Sequence, residues 1–139
     1  MAILRTSYDA VPAFTTKDGT LIRELMHPAT HGVRRQSLAE ARLPPGARSL
    51  LHRHREAEEV YHFLEGAGLM RLGEARFPVR AGDTVCIPPG TPHALENPGP
   101  EELRLLCACS PPYRHEDTEL LEAPPHEGTP GGSPPGPGS

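Results

Sequence analysis

Short apolar runs, broken at close intervals by proline, glycine, asparagine and aspartate, set the pattern of this 139-residue chain. Within most runs apolar and polar positions alternate, as they do on a strand with one buried face. The alternation predicts strands over residues 21–26, 36–43, 48–54, 59–64, 69–72, 76–79, 84–87, 93–96 and 103–109. Turn signals separate them: Pro44-Pro45-Gly46, Glu65-Gly66, Gly73-Glu74, Ala81-Gly82-Asp83, Pro88-Pro89-Gly90 and Asn97-Pro98-Gly99-Pro100. Many short strands at this spacing predict an all-β barrel or sandwich. Residues 116–122 are expected to add a helical turn that closes it. From Ala123 the chain runs almost entirely through proline, glycine and serine, a composition that cannot repay its ordering entropy with apolar burial. The expected organisation is an N-terminal strand or arm over 1–35, the barrel over 36–110, a closing segment over 111–122 and a disordered tail over 123–139. His126, in that tail, is expected to be exposed and idle.

The same alternation assigns faces. His52 and His54 stand at i and i+2 at the end of Ser49-Leu50-Leu51-His52, so both rings project to one side, with about 6–7 Å between their Cα atoms. Leu50 belongs to that side as well. Glu59 shares an inward face with Tyr61 and Phe63, while Val60, His62 and Leu64 face out. His93 shares its face with Leu95. Glu58, the neighbouring carboxylate, is expected on the outer face. A lone H-x-H is weak evidence, because the chain's eight histidines produce ~0.4 such pairs by accident.

Fixed offsets strengthen it. The spacing G-x5-H-x-H-x4-E-x6-G joins Gly46, His52, His54, Glu59 and Gly66. A second spacing, G-x5-P-x-G-x2-H-x3-N, joins Gly82, Pro88, Gly90, His93 and Asn97, the chain's single asparagine. With a spacer of 15 residues between them, the two patterns resemble the paired signatures of the cupin superfamily, in the form of its small single-domain bacterial members. The resemblance implies a double-stranded β-helix, or jelly-roll barrel. It also implies one divalent transition metal (Mn, Fe, Ni, Co or Zn) held by His52, His54, Glu59 and His93, a nitrogen–oxygen set that suits such ions.

Other residues receive more ordinary expectations. Gly46, Gly82 and Gly90 suit positive-φ turns, Pro88 and Pro89 stiffen the loop before His93, and Asn97 braces the turn that follows. His62 is expected at the surface or an interface, and His27, His31 and His115 at the surface. Tyr61 reads as a packing residue, with a substrate hydrogen bond as the alternative. Gln36 is a candidate for a bond to a ligand or to a histidine. Cys107 and Cys109 share one face and read as small apolar filler, with a second thiolate site as the alternative.

Composition narrows the partners. Net charge is −4 and no basic block is present, which argues against nucleic acid. No apolar run approaches the ~18 residues that span a bilayer, and the first residues lack the apolar stretch of a secretory signal. Three cysteines, an odd number, fit a reducing compartment, so the expected location is the cytoplasm. Val60, Leu64 and either Leu105 or Leu106, facing outward, suggest a homodimer.

Four protein ligands on an octahedral ion leave two positions for a small-molecule ligand or substrate. The expected activity is that of a dioxygenase-type oxidoreductase acting on a small organic acid, diol or enol-like compound. One alternative is a metal-dependent isomerase or epimerase of sugars or keto acids, although the sequence reveals no dedicated base for it. Another is a non-catalytic ligand-binding module, in a chain that shows no helix-turn-helix segment. In a third, the ion only stabilises the barrel.

Overall fold

A computed structural model describes residues 1–123; the expected tail, with His126, lies outside them apart from Ala123. Among the described residues eleven strands form: β1 (Ala13–Thr15), β2 (Leu21–Met26), β3 (Ser37–Leu43), β4 (His52–His54), β5 (Glu58–Glu65), β6 (Ala67–Leu72), β7 (Ala75–Arg80), β8 (Thr84–Ile87), β9 (His93–Glu96), β10 (Leu103–Ser110) and β11 (Thr118–Leu120). A short helix α1 (Pro28–His31) and 3-10 turns at Tyr8–Ala10 and His115–Asp117 complete the elements. The strands build two sheets, β1-β2-β3-β10-β5-β8 and β11-β4-β9-β6-β7. All neighbours run antiparallel. This is the double-sheet jelly roll expected from the sequence.

Period-two burial explains the stacking of the sheets. β10 alternates without a break, burying Leu103, Leu105, Cys107 and Cys109, and β5 buries Glu59, Tyr61 and Phe63 while Val60, His62 and Leu64 face the other way. Phe63, Leu43, Met70, Ile87, Leu103 and Leu105 form the fully buried centre. Each such side chain contributes about 1.5–3 kcal/mol by leaving water.

The turns follow their signals. Gly46, Gly82 and Gly90 take φ of 82°, 97° and 77°. At Gly66 the need is double: φ is 81°, and a Cβ there would collide with the backbone carbonyl of Glu102. Asn97, fully buried, donates to the carbonyls of Leu43 (2.9 Å) and Glu101 (2.8 Å) and accepts from the amide of Gly99 (3.1 Å).

Two expected elements differ. The predicted strand over 48–54 is regular only at His52–His54, because the Ser49 hydroxyl accepts from the Leu95 amide at 2.8 Å and takes a place in the ladder. The Leu50 amide turns instead to the carbonyl of Asp18, at 2.8 Å. The expected helical turn over 116–122 is a 3-10 turn followed by β11, which pairs with the histidine strand in the register Thr118↔His54 and Leu120↔His52. The hairpin β1–β2, whose first strand was not anticipated, extends the larger sheet and carries Asp18 at its tip.

Candidate metal centre

His52 and His54 are consecutive inward positions of β4, and His93 on the adjacent β9 lies directly opposite His52. Glu59 reaches them from β5 in the facing sheet. The four residues expected as ligands thus converge from both sheets, and all are buried. The ring centroid of His52 lies 4.1 Å from that of His93 and 5.3 Å from that of His54, and the centroids of His54 and His93 are 5.4 Å apart. One nitrogen from each ring falls within 4.8 Å of the others, the arrangement of a metal-ligating group. Oε1 of Glu59 is 3.1 Å from Nε2 of His54 and 3.4 Å from Nε2 of His93.

The outer nitrogen of each ring fixes what the inner one offers. Nδ1 of His52 donates to the Leu50 carbonyl at 2.7 Å, and Nδ1 of His93 to the Thr91 carbonyl at 2.9 Å. Carbonyls only accept, so both rings carry the proton on Nδ1. His54 reaches the same state indirectly. The Thr118 hydroxyl donates to the Arg114 carbonyl at 3.0 Å and therefore accepts from Nδ1 of His54 at 3.1 Å. Three Nε2 atoms are left aimed at one point, and that of His93 is buried without a hydrogen bond. An orphaned imidazole lone pair beside two others and a carboxylate fits a divalent ion.

Comparison with known proteins supports this reading. The family model described as "Cupin domain" matches residues 39–109. The chain belongs to the cupin family. This cupin is 52% identical over 122 residues to the uncharacterized protein MJ1618 of Methanocaldococcus jannaschii, covering 88% of this chain and 98% of that one. It is 35% identical over 68 residues to the oxalate-binding protein of Thermotoga maritima, 49% of this chain and 56% of that one. Among solved structures it resembles the polyketide cyclase RemF of Streptomyces resistomycificus, with a TM-score of 0.72, 22% identity and 88% of each chain covered.

Charge in this cupin's site follows from its neighbours. Burial, the largest influence on His52, pulls it down to about 4, against a partial upward pull from Asp18, so the ring is neutral. Burial also acts downward on His54, but the Glu59 carboxylate outweighs it and raises the ring. Burial acts upward on Glu59, yet His54 and His93 hold it well below the usual carboxylate range.

Several groups near the centre escape the motif. Asp18 is the foremost: its Oδ2 lies 3.4 Å from Nε2 of His52, while Oδ1 accepts from the Thr16 hydroxyl at 2.6 Å and the Thr20 amide at 3.0 Å. The Asp18-Gly19 pair is a hairpin signal that would have located the turn. Cys109 is more than apolar filler, because its thiol donates to Oε2 of Glu59 at 3.3 Å. Burial raises both Cys107 and Cys109 well above the ordinary thiol range, which argues against a second thiolate site. Tyr113 packs edge-on against His54 at 5.8 Å.

The remaining expectations sort by position. Tyr61 is buried in the cavity wall, 6.0 Å from the ring of His93. Leu50 and Leu95 are buried, and Glu58 is exposed. His62 bonds the Thr84 hydroxyl at 2.8 Å, away from the centre. Gln36 is exposed and precedes β3, so it does not reach the site; Ser37 lines the cavity instead. His27 is no idle surface residue: its Nδ1 accepts from the Ala29 amide at 3.1 Å and caps α1, and its Nε2 donates to the Tyr113 carbonyl at 2.7 Å. The cavity beside the histidines has a volume of about 50 Å³, with Ile22, Ala41, Leu95 and Leu105 among its apolar walls.

Proposed function

We propose that this cupin is a metal-dependent enzyme acting on a small organic molecule, its ion held by His52, His54, His93 and Glu59. A divalent ion there supplies a Lewis acid at a substrate oxygen. The chain supplies the rest: apolar walls orient the molecule and exclude water, and Asp18 accepts a substrate proton. The observation that carries this reading is the convergence of three Nε2 atoms whose Nδ1 protons are all engaged elsewhere. Asp18 is the carboxylate base that no motif revealed, and its presence favours non-redox chemistry of the isomerase kind over the dioxygenase type.

The test begins with metal analysis of protein purified without chelators. Protein loaded with Mn, Fe(II), Co, Ni or Zn is then incubated in D2O with small hydroxy ketones, and exchange of their α-protons is followed by NMR. Exchange above the metal-free level, lost in Asp18→Asn, is the expected result. Oxygen uptake after anaerobic Fe(II) loading, without such exchange, would instead favour the dioxygenase reading, for which the apolar walls speak. Binding with neither reaction would mark a non-catalytic module.

We also infer a two-fold homodimer packed through the outer face of the larger sheet. There Ala108 is paired with both Leu38 and Val60, next to Leu106, and Leu38 is exposed. Leu38→Glu should then convert a dimer to a monomer in sedimentation analysis. Three free cysteines support a reducing compartment, hence the cytoplasm. No helix among the described residues is long and apolar enough to cross a membrane.

A further inference from the structure

The walls of the metal cavity carry a consistent sign of charge. Asp18, Glu24 and Glu59 line it, and no lysine or arginine does so among the described residues. Lys17, the chain's single lysine, turns its Nζ to the Thr118 carbonyl at 2.9 Å. Asp18 cannot swing aside cheaply. Its Oδ1 is held by Thr16 and Thr20, and its own carbonyl receives the Leu50 amide just before the histidine strand. That leaves Oδ2 facing Nε2 of His52. Glu24 adds an oxygen, Oε2, that is buried without a hydrogen-bond partner.

The consequence is a charge balance. With neutral imidazoles, a dication is already cancelled by Glu59 and Asp18. Glu24 adds a third carboxylate to the wall, so an uncharged ligand leaves the balance unchanged, whereas a carboxylate adds a further uncompensated negative charge in a place of low dielectric, where that is expensive. Carboxylate oxygens accept hydrogen bonds and donate none. A hydroxyl group can donate to Asp18 or to Glu24, and an anion repels both.

We propose that Asp18 is a specificity-determining residue that makes this pocket select uncharged, hydroxyl-bearing oxygen ligands, such as hydroxy ketones or vicinal diols, over carboxylate anions. This rests on the metal-centre reading above. It narrows the substrate class expected from the sequence, and it separates this chain from a protein that binds oxalate.

Hydroxyacetone and glycolate are suitable probes: each carries one hydroxyl beside a second oxygen donor, and they differ in charge. Full-length protein is loaded with Co(II), its metal content is measured, and binding is followed by the visible cobalt spectrum and by calorimetry. In Asp18→Asn the amide oxygen can still accept from Thr16 and Thr20, so the hairpin keeps its bonds. The expected result is unchanged cobalt stoichiometry and at least a tenfold shift of relative affinity toward glycolate. Glu24→Gln, which does not touch the hairpin tip, should shift it the same way by threefold or more. If wild-type protein takes up no cobalt, the metal reading falls and this inference with it. If cobalt is bound and both variants leave the affinity ratio within twofold of wild type, the metal reading stands and this inference alone is overturned.

Discussion

Thr118→Val is the most searching test of how the histidines are held. Valine matches threonine in shape, so the change removes one hydroxyl from a site that is 3% exposed. In the wild type that hydroxyl accepts from Nδ1 of His54 at 3.1 Å and donates to the Arg114 carbonyl at 3.0 Å. Without metal, the variant has an escape: His54 can carry its proton on Nε2 and donate it to Glu59, 3.1 Å away. With metal, Nε2 is engaged and the proton must stay on Nδ1, where it faces a methyl group. A buried donor left unsatisfied costs about 1–3 kcal/mol, and here the cost falls on the metal-bound state alone. Loss of the bond from Thr118 to the Arg114 carbonyl affects both states and cancels. Metal affinity should therefore fall by about 5- to 150-fold, within the range typical of groups that orient ligating histidines. Competition against a calibrated chelator measures it, with Thr118→Ser, which keeps the hydroxyl, expected within about threefold of wild type. A folded valine variant with unchanged affinity would refute the tautomer argument.

His52→Ala or His93→Ala should abolish stoichiometric metal binding while His62→Ala keeps it; equal loss from all three, by elemental analysis, would show that the assignment of strand faces is wrong. Gly66→Ala should cost upward of ~2 kcal/mol, from the left-handed backbone and the collision with Glu102 combined, read as a lowered urea midpoint. Chelation should lower the thermal midpoint, by an amount that grows with the free-metal concentration of the reference sample. For metal-free protein the pH dependence has two arms. His52, ordinary value 6.5, is held at about 4 in the fold, so as pH falls below 6.5 only the unfolded chain takes up the proton and stability drops, by up to ~1.4 kcal/mol per pH unit. His54 is raised, so its contribution is complete below 6.5 and is lost as pH rises through its folded value. Urea unfolding of stripped protein should show a maximum near 6.5, and a monotonic profile between pH 5 and 8 would contradict the assignment.

The parts of this site that were legible in the sequence are those set by strand period and fixed spacing. His52 with His54, and Glu59 with Tyr61 and Phe63, follow from alternation within a single strand, which a change of register would reverse as a set. The arrival of His93 opposite His52 is a long-range pairing, and only the paired motifs carried it. The Asp18-Gly19 pair marks a turn, but that Asp18 and Thr118 reach the site was illegible for a shared reason. Each lies at or beside a three-residue strand, β1 and β11, too short for a period to register, and each is docked largely by main-chain bonds that any residue can make. The Leu50 amide meets the carbonyl of Asp18, and Thr118 sits across the ladder from His54. These two segments supply the groups that govern charge and protonation around the histidines. The motif therefore announces that an ion is held, while its tuning and the ligand it admits are decided by residues outside the motif. Relatives sharing His52, His54, Glu59 and His93 but differing at the positions of Asp18 and Glu24 should accordingly share the metal and differ in the charge of what they bind.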